Sequence, residues 1–375
     1  MKILYVAPLD SIHTHRWIDF FMEKGHQIAI INSAQQRKDT KDGADVFNIN
    51  YAVPSSLIFR IVMLPFILFK LIRQVSRIIA DIKPDIIHIH SLATPLAYAV
   101  SYLKFHPIIC TPWGSDILVG AKQNLIHRFS VKRLIRVSDW YCSDAEHLIE
   151  RLVESGARRD RTRLIFFGTN TQTFNKNARD RKFAEELGFD AGTPLVLSSR
   201  RLEAICDVET FIRAIPGVIQ HENQARFVVA GDGPQRSMLE ALVKELKIGD
   251  YVRFLGWLPE PETARVTASA TVYVSTSLSD GGLSASTAEA MACEVPVVIS
   301  DFGENKEWVA NGRAGLTFPL RDHSTLAAKI VELLKDPDRS ADIGTKGRDI
   351  ILQKNDYFKE MEKVEAIYRS MVAHK

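Results

Sequence analysis

At 375 residues the chain is longer than chains that fold around a single hydrophobic core usually are, which predicts two domains. With 46% hydrophobic and 25% charged residues, it has the composition of an ordinary soluble globular protein. Four distant cysteines without a CxxC pair exclude a disulfide framework and favour reduced thiols in the cytosol. Residues 1–180 carry 24 Lys and Arg against 16 Asp and Glu, whereas residues 181–375 carry 24 against 29. The basic half is therefore expected to meet an anionic surface or acceptor.

No leader or membrane-spanning segment is predicted. The N-terminus, MKILYVAPLD, is interrupted too soon for a signal peptide. The most apolar stretch, residues 56–80, contains Arg60, Pro65 and Lys70 and so falls short of about 18 uncharged apolar residues in a row. A cytoplasmic protein is expected.

Short apolar runs alternate with helical patterns along the whole chain. Six runs of this kind occur in each half: KILYVAPL, HQIAIIN, DIIHIHS, PIICTPWG, WYCSD and RLIFFG, then PLVLSSRR, RFVVAGDG, VRFLGWL, TVYVSTS, VPVVISD and AGLTFP. Runs of this length with helices between them predict parallel strands that are buried on both faces. Two such series predict two doubly wound α/β domains, over 1–175 and 190–355, with the linker within 169–193. A final helix over 356–375 can pack against either domain, and a return to the N-terminal domain is the working assignment.

The stretch SDGGLSASTAEAM, which begins at residue 279 and is here called the 279 loop, has the features of a phosphate-binding loop. Gly281 and Gly282 let the backbone approach a ligand closely. The helix that begins near Leu283 and Ser284 offers unpaired N–H groups and a positive dipole end. Glu289, farther along, can accept hydrogen bonds from the two hydroxyls of a ribose. The competing interpretation is a capping box, in which Glu289 only reaches back to the amide of Ser286.

Three other loops follow predicted strands of the same domain, where open parallel sheets bind their ligands. The candidate donor-binding residues of these loops are Arg200, Arg201, Gly231, Asp232, Gly233, Gly256 and Trp257. Asp280, in the 279 loop, is a further candidate. The two arginines can grip a phosphate, and the glycines with the tryptophan can contact a base. Each loop alone is a weak signal. Together with the 279 loop, these three loops follow one another along one domain, and the four together predict a site for a nucleoside diphosphate.

The sequence resembles the retaining glycosyltransferases of the GT-B fold, in particular glycosyltransferase family 4, also described as group 1. The resemblance rests on KGHQIAIIN, KPDIIHIHS, TPWGSDIL, FFGTNTQTF, RRLEA, VVAGDGP, FLGWL and STAEAMACEVPVVISDFGENKEWV. It implies two Rossmann-like domains facing each other across a cleft, with the acceptor on the N-terminal domain and a nucleotide sugar on the C-terminal one. It also implies that the 279 loop holds the diphosphate and Glu289 the ribose.

The resemblance implies a hexosyltransferase that retains the anomeric configuration and needs neither a metal nor a cofactor. The donor is a nucleotide sugar, with a UDP-sugar favoured and a GDP-sugar as the alternative. Asp116, Arg201 and Glu289 are the implied catalytic residues, with Arg200 able to replace Arg201. The expected acceptor side comprises His15, Arg16, Gly114, Ser115 and Asp116. Asp116 is equally well explained as a turn or a helix cap.

Two positions depart from the family pattern. Gly281 stands where the family usually has a second glutamate, with Asp280 as the nearest acid, and Cys206 stands where it usually has a lysine. A non-catalytic homologue that binds a nucleotide sugar or a glycan therefore remains an alternative, as does an epimerase of the same fold. A dinucleotide-dependent dehydrogenase is disfavoured because the first strand ends in APLDSIH rather than in a G-x-G-x-x-G turn. No motif indicates nucleic-acid binding.

Two basic segments with apolar neighbours lie in the N-terminal half. Lys70, Arg73 and Arg77 share one arc of a predicted helix, and a second basic stretch covers 122–136. Such segments suit an anionic membrane surface, although core-facing helices with solvated outer faces would have the same pattern. The favoured interpretation is peripheral attachment to the inner face of the membrane. It goes with a glycan, lipid or lipid-linked acceptor in the synthesis of cell-surface polysaccharide or glycolipid.

Overall fold

The computed structural model describes residues 1–32, 40–51, 57–92, 94–112, 125–279 and 283–373. These residues form two compact units. The first comprises residues 1–167 together with 358–375, and the second comprises 168–357.

The first unit contains a parallel sheet of seven strands in the order β3-β2-β1-β4-β5-β6-β7. Its strands are β1 (Lys2–Ala7), β2 (Gln27–Asn32), β3 (Asp45–Asn48), β4 (Ile86–His90), β5 (Ile108–Thr111), β6 (Trp140–Ser143) and β7 (Thr162–Leu164). All residues of β4, β5 and β6 are buried, as expected for strands covered on both faces.

Helices cover both faces of this sheet. They are α1 (Ile12–Glu23), α2 (Leu57–Ile82), α3 (Pro95–Val100), α4 (Leu125–Val137) and α5 (Glu146–Glu154). Leu71 of α2, Leu96 of α3 and Leu134 of α4 belong to one hydrophobic cluster with strand residues such as Ile87. The three helices α2, α3 and α4 therefore lie on the same face of the sheet.

The second unit contains a parallel sheet of six strands in the order β10-β9-β8-β11-β12-β13. Its strands are β8 (Leu195–Ser199), β9 (Arg226–Ala230), β10 (Val252–Gly256), β11 (Val272–Ser275), β12 (Val297–Ser300) and β13 (Leu316–Phe318). Its helices are α6 (Phe183–Glu186), α7 (Val208–His221), α8 (Arg236–Glu245), α9 (Glu260–Ser269), α10 (Ala285–Ala292), α11 (Asn305–Trp308), α12 (His323–Lys335) and α13 (Pro337–Lys354). The strand order reverses between β8 and β11, where open sheets of this topology bind ligands.

The last helix, α14 (Tyr357–Ala373), packs against the first sheet although the second unit precedes it in the chain. The buried hydroxyl of Tyr368 lies 3.2 Å from the hydroxyl of Tyr5 and forms a short hydrogen bond with Nδ1 of His88. His26 pairs with Glu365 at 3.1 Å. These polar contacts fix the register of α14 on the first unit.

The predicted pair of doubly wound α/β units is confirmed. Eleven of the twelve predicted runs contain a strand, and the twelfth, RLIFFG, includes the last two residues of β7. The sequence analysis missed β3. This strand has only four residues, DVFN, pairs on one side only and has no fully buried residue, so no apolar run marks it. Within the described ranges, no helix combines the length and the hydropathy that crossing a bilayer requires.

Candidate functional site

The candidate site lies at the carboxyl ends of the strands of the second sheet. The loops after β8 and β11 meet there, because the hydroxyl of Thr276 donates to the carbonyl of Cys206 at 2.9 Å. The amide of Leu278 also donates to the carbonyl of Ile205 at 2.8 Å. The loop that carries the arginines is thus tied to the start of the 279 loop.

Arg200 and Arg201 follow β8 but point to different surroundings. The half-buried Arg200 donates from Nη1 to the hydroxyl of Ser286 at 3.3 Å, and its Nη2 lies 4.0 Å from the sulfur of Cys206. Arg201 has a side chain that is 78% exposed and pairs with Glu203. Of the two candidate arginines, Arg200 is the one directed at helix α10.

Gly231 and Gly233 hold the loop after β8 in place. A Cβ atom on Gly231 would come within 2.1 Å of the carbonyl oxygen of Arg200, and one on Gly233 within 2.5 Å of the carbonyl oxygen of Leu202. Gly231 also has a φ of +125°, which side chains rarely adopt. Both glycines are therefore needed for two loops to pack backbone to backbone. Their packing positions Arg200.

Helix α10 begins at a different residue from the one that a capping box would require. Its N-cap is Ser284, whose hydroxyl accepts from the amide of Thr287 at 3.4 Å. Glu289 is then the fifth residue of the helix, whereas a capping box needs the acid at the third. The capping-box interpretation of Ser286 and Glu289 is wrong.

Ser286 instead lies inside the first turn of α10 and connects three elements. Its oxygen accepts from Arg200 and, at 2.7 Å, from the hydroxyl of Tyr273 in β11. Tyr273 is fully buried and was missed by the sequence analysis, because a tyrosine in an aliphatic strand looks like a core residue. The contact gives this strand a polar group at the site.

Glu289 is half-buried and follows Ser286 by three residues, so both lie on one face of α10. Burial, and after it the nearby Glu289 carboxylate, raise the pKa of the Cys293 thiol to about 12. Cys293 is thus a protonated thiol at neutral pH. Glu289 adds an acceptor beside the positive start of the helix.

The loops after β9 and β10 complete this edge. The amide of Gly231 donates to the carbonyl of Gly256 at 2.6 Å, and Gly256 has a φ of +74°. The Asp232 carboxylate accepts from the amide of Gly233 at 2.8 Å. Trp257 follows Gly256 directly and is 76% exposed. This exposed ring can stack on a flat ligand.

Several predicted residues lie outside the described ranges. They are Gly114, Ser115, Asp116, Asp280, Gly281 and Gly282. In the first unit, His15 and Arg16 are half-buried in α1, at the carboxyl end of β1. Nε2 of His15 donates to the carbonyl of Leu9 at 2.7 Å, which ties the ring to its own loop.

His90, at the end of β4, is a packing residue. It is 1% exposed, and its ring lies 5.0 Å from that of Trp17 and 5.4 Å from that of Tyr5. The described part of the chain contains no group of three or more His, Cys, Asp or Glu residues that could hold a metal ion.

Comparison with protein families gives two matches along the chain. Residues 179–350 match the model for glycosyl transferases group 1, and residues 2–144 match the model for glycosyl transferase 4-like proteins. Together these matches include every described strand except β7, and all the loops of the candidate site.

Two curated relatives illustrate the range of similar proteins. Over 189 residues, the chain is 30% identical to the GDP-mannose-dependent monoacylated alpha-(1-6)-phosphatidylinositol monomannoside mannosyltransferase of Corynebacterium glutamicum, covering 48% of this chain and 49% of that protein. Over 363 residues, it is 23% identical to the N-acetyl-alpha-D-glucosaminyl L-malate synthase of Bacillus anthracis, covering 92% of this chain and 90% of that protein. The chain therefore spans about half the length of the first relative and most of the second.

Among solved structures, that of Anabaena Alr3699/HepE in complex with UDP superposes with a TM-score of 0.75. The two chains are 18% identical, and the match covers 99% of this chain and 100% of the other. At this identity, the likeness establishes a shared fold.

Proposed function

Because this chain belongs to the group 1 glycosyltransferases with the GT-B fold, we propose that it transfers a sugar from a nucleoside diphosphate sugar to a hydroxyl group of a glycan, lipid or lipid-linked acceptor. The observation that carries the proposal is the arrangement around α10. Arg200, Ser286 and Glu289 combine a cation, a hydroxyl and a carboxylate at the start of one helix. A phosphate needs the first two, and a ribose needs the third.

The diphosphate would bind at the first turn of α10. The first amides of this eight-residue helix have no partner within the helix, and the dipole adds positive charge. Arg200 supplies a full charge close to the same turn. The oxygen of Ser286 already accepts two hydrogen bonds, so its own proton remains available for a phosphate oxygen. Glu289, one turn farther along, would accept hydrogen bonds from the ribose hydroxyls.

The same groups would stabilise the leaving diphosphate. As the bond between the sugar C1 and the phosphate oxygen breaks, its electron pair passes to the nucleoside diphosphate. The acceptor oxygen bonds to C1 on the same side, which retains the anomeric configuration, and its proton passes to the departing phosphate. Fixed donors aimed at such developing charge typically contribute about 3 kcal/mol each. We propose that Arg200 and the helix amides supply this charge without a bound metal ion, so EDTA should leave the rate unchanged.

The acceptor would bind to the first unit, with Asp116 orienting its hydroxyl group and His15 and Arg16 nearby. The corynebacterial relative is named for transfer to a phosphatidylinositol mannoside, which supports a glycan or lipid-linked acceptor and a role in cell-surface synthesis. Its GDP-mannose dependence and the UDP in the Anabaena structure make both nucleotides candidates. We retain the UDP-sugar as the first to be tested.

Product analysis tests the proposal. The protein would be incubated with UDP- and GDP-sugars and with short-chain glycolipid or saccharide acceptors, and the products analysed by mass spectrometry and NMR. We expect a glycoside with the anomeric configuration of the donor, together with free nucleoside diphosphate. An epimerised sugar formed from the donor alone would identify an epimerase. Donor binding without turnover would identify a non-catalytic homologue. It is the second candidate because Cys206, beside Arg200, stands where a lysine is usual in the family.

A further inference from the structure

We propose that the outer face of α2, α3 and α4, here called the basic helix face, binds the surface of an anionic phospholipid bilayer. Phe66, Phe69 and Phe129 would enter the interfacial region, and the lysines and arginines beside them would contact the lipid phosphates. The proposal goes beyond the transfer reaction, because it needs neither the donor nor the acceptor.

Large apolar side chains are concentrated on this face. Nine large hydrophobic residues are exposed among the described residues, and five of them lie here: Met63, Phe66, Phe69, Tyr102 and Phe129. Phe66 is 69% exposed, Phe129 63% and Phe69 61%. Single exposed apolar residues are normal on a protein, but a concentration of aromatic rings on one face marks an interaction surface.

The charge of this face is strongly positive. Residues 57–82, 95–104 and 125–137 contain nine Lys and Arg and a single acid, Asp81 near the C-terminus of α2. Lys70, Arg73 and Arg77 follow the exposed phenylalanines along α2 at helical spacing and are exposed themselves. The guanidinium of Arg73 lies 5.8 Å from the ring centre of Phe69. Aromatic rings next to long basic side chains suit the boundary between acyl chains and phosphate groups.

The exposed rings of α2, Phe66 and Phe69, lie near the middle of the helix. Its C-terminus leads into β4, so it lies near the amino end of that strand. Phe66 is 16 residues before Ile82, about 24 Å along the helix, whereas the five residues of β4 span only about 17 Å. Phe66 therefore lies at or beyond the level of the carboxyl end of β4. Phe129, in the second turn of α4, lies toward the same edge of the sheet.

Charge complementarity favours a bilayer over a second copy of this chain. Two copies in face-to-face contact would bring two sets of nine cations together, with only one acid per copy, Asp81, to compensate. An anionic lipid surface attracts the same set. Each Lys or Arg near such a surface adds to the affinity, and salt weakens the attraction.

Co-sedimentation with vesicles tests the proposal, using the full chain without substrates. We expect binding to vesicles of phosphatidylcholine with phosphatidylglycerol, and at least tenfold weaker binding to pure phosphatidylcholine. The triple variant Lys70→Gln, Arg73→Gln, Arg77→Gln should lower the partition coefficient by about 100-fold. The variant Phe66→Ser, Phe69→Ser, Phe129→Ser should also lower the partition coefficient. This loss should depend less on salt concentration than the loss in the triple basic variant.

Matched controls come from the second unit. Lys182→Gln, Lys244→Gln, Lys247→Gln removes three exposed charges, and Met238→Ser removes an exposed apolar side chain. Both controls should bind as the wild type does, and all variants should keep its thermal unfolding midpoint. Equal losses in controls and test variants, or equal binding to neutral and anionic vesicles, would overturn the proposal. So would a dimer in sedimentation velocity that the phenylalanine variant abolishes, since the face would then bind a second copy.

Discussion

Arg200 and Arg201 are neighbours in the chain, yet only one of them is directed at helix α10. Arg200 is half-buried and donates to Ser286, while Arg201 extends into solvent beside Glu203. The sequence predicts that an arginine lies at this strand end, but it does not reveal which one turns inward. That choice depends on the packing of the loop after β8 against Gly231 and Gly233.

Substitution of each arginine by glutamine separates their contributions. Arg200→Gln should lower kcat/KM by roughly 100- to 1,000-fold, because it removes a fixed donor close to the proposed diphosphate. Arg201→Gln should lower it by less than about fivefold, since an exposed ion pair contributes little. Steady-state kinetics of both variants measure the difference. A larger loss for Arg201→Gln would assign the phosphate contact to the exposed arginine.

Among the elements, every described strand except β3 was predictable, whereas the loop contacts were not. A strand that is buried on both faces consists of consecutive apolar residues, so it is visible in the sequence as an aliphatic run. The N-cap of α10 was predicted less well, since Ser284 and Ser286 are both good caps and only the backbone distinguishes them. The role of Gly231 was also hidden, because the sequence does not show that its neighbour is the backbone of Arg200.

Gly231→Ala tests the contact between the loops after β8 and β9. Its Cβ would clash with the carbonyl of Arg200, so both the unfolding midpoint and the affinity for nucleotide should fall. Gly312→Ala is the matched control. Gly312 also has a positive φ, of +94°, but no atom within 4 Å of the added Cβ, so it should incur only roughly 1–3 kcal/mol of backbone strain. Thermal unfolding and nucleotide titration of both variants decide; an unchanged nucleotide affinity in Gly231→Ala would refute the positioning role.

The contact between α14 and the first sheet predicts a dependence of stability on pH. Burial lowers the pKa of His88 well below its ordinary value of 6.5, and the adjacent His90 lowers it further. The imidazole is thus neutral in the folded protein, held by Thr111 at 2.7 Å and by Tyr368. Below pH 6.5 the unfolded chain binds a proton that the folded one does not. The free energy of unfolding should therefore fall as the pH falls below 6.5, by up to about 1.4 kcal/mol per pH unit from this group.

Urea unfolding of the wild type and of His88→Asn at pH 7.5, 6.5 and 5.5 measures this contribution. Asparagine does not titrate, so the variant should be less stable at pH 7.5 but should lose less stability on acidification. The histidines other than His88 and its neighbour His90 contribute equally to both proteins. Parallel curves for the two proteins would show that His88 titrates alike in the folded and unfolded states.

For the whole molecule, two alternating α/β series were enough to predict two doubly wound units, and motifs such as VVAGDGP and STAEAM carry the family resemblance. The sequence left open which unit the last helix joins. That answer comes from particular contacts, namely those of Tyr368 with Tyr5 and His88 and of Glu365 with His26. None of them produces a pattern in the sequence, because each joins residues more than 270 positions apart.

Binding of UDP and GDP to the wild type, Glu289→Ala and Glu245→Ala, measured by titration calorimetry, decides whether the start of α10 is a nucleotide-sugar site. Glu245 is an exposed acid on helix α8 of the same unit and serves as the control. We expect one nucleotide to bind to the wild type and to the control with equal affinity, and to Glu289→Ala at least tenfold more weakly. Equal binding to all three proteins, or no binding to the folded wild type, would contradict a nucleotide-sugar site at the start of α10.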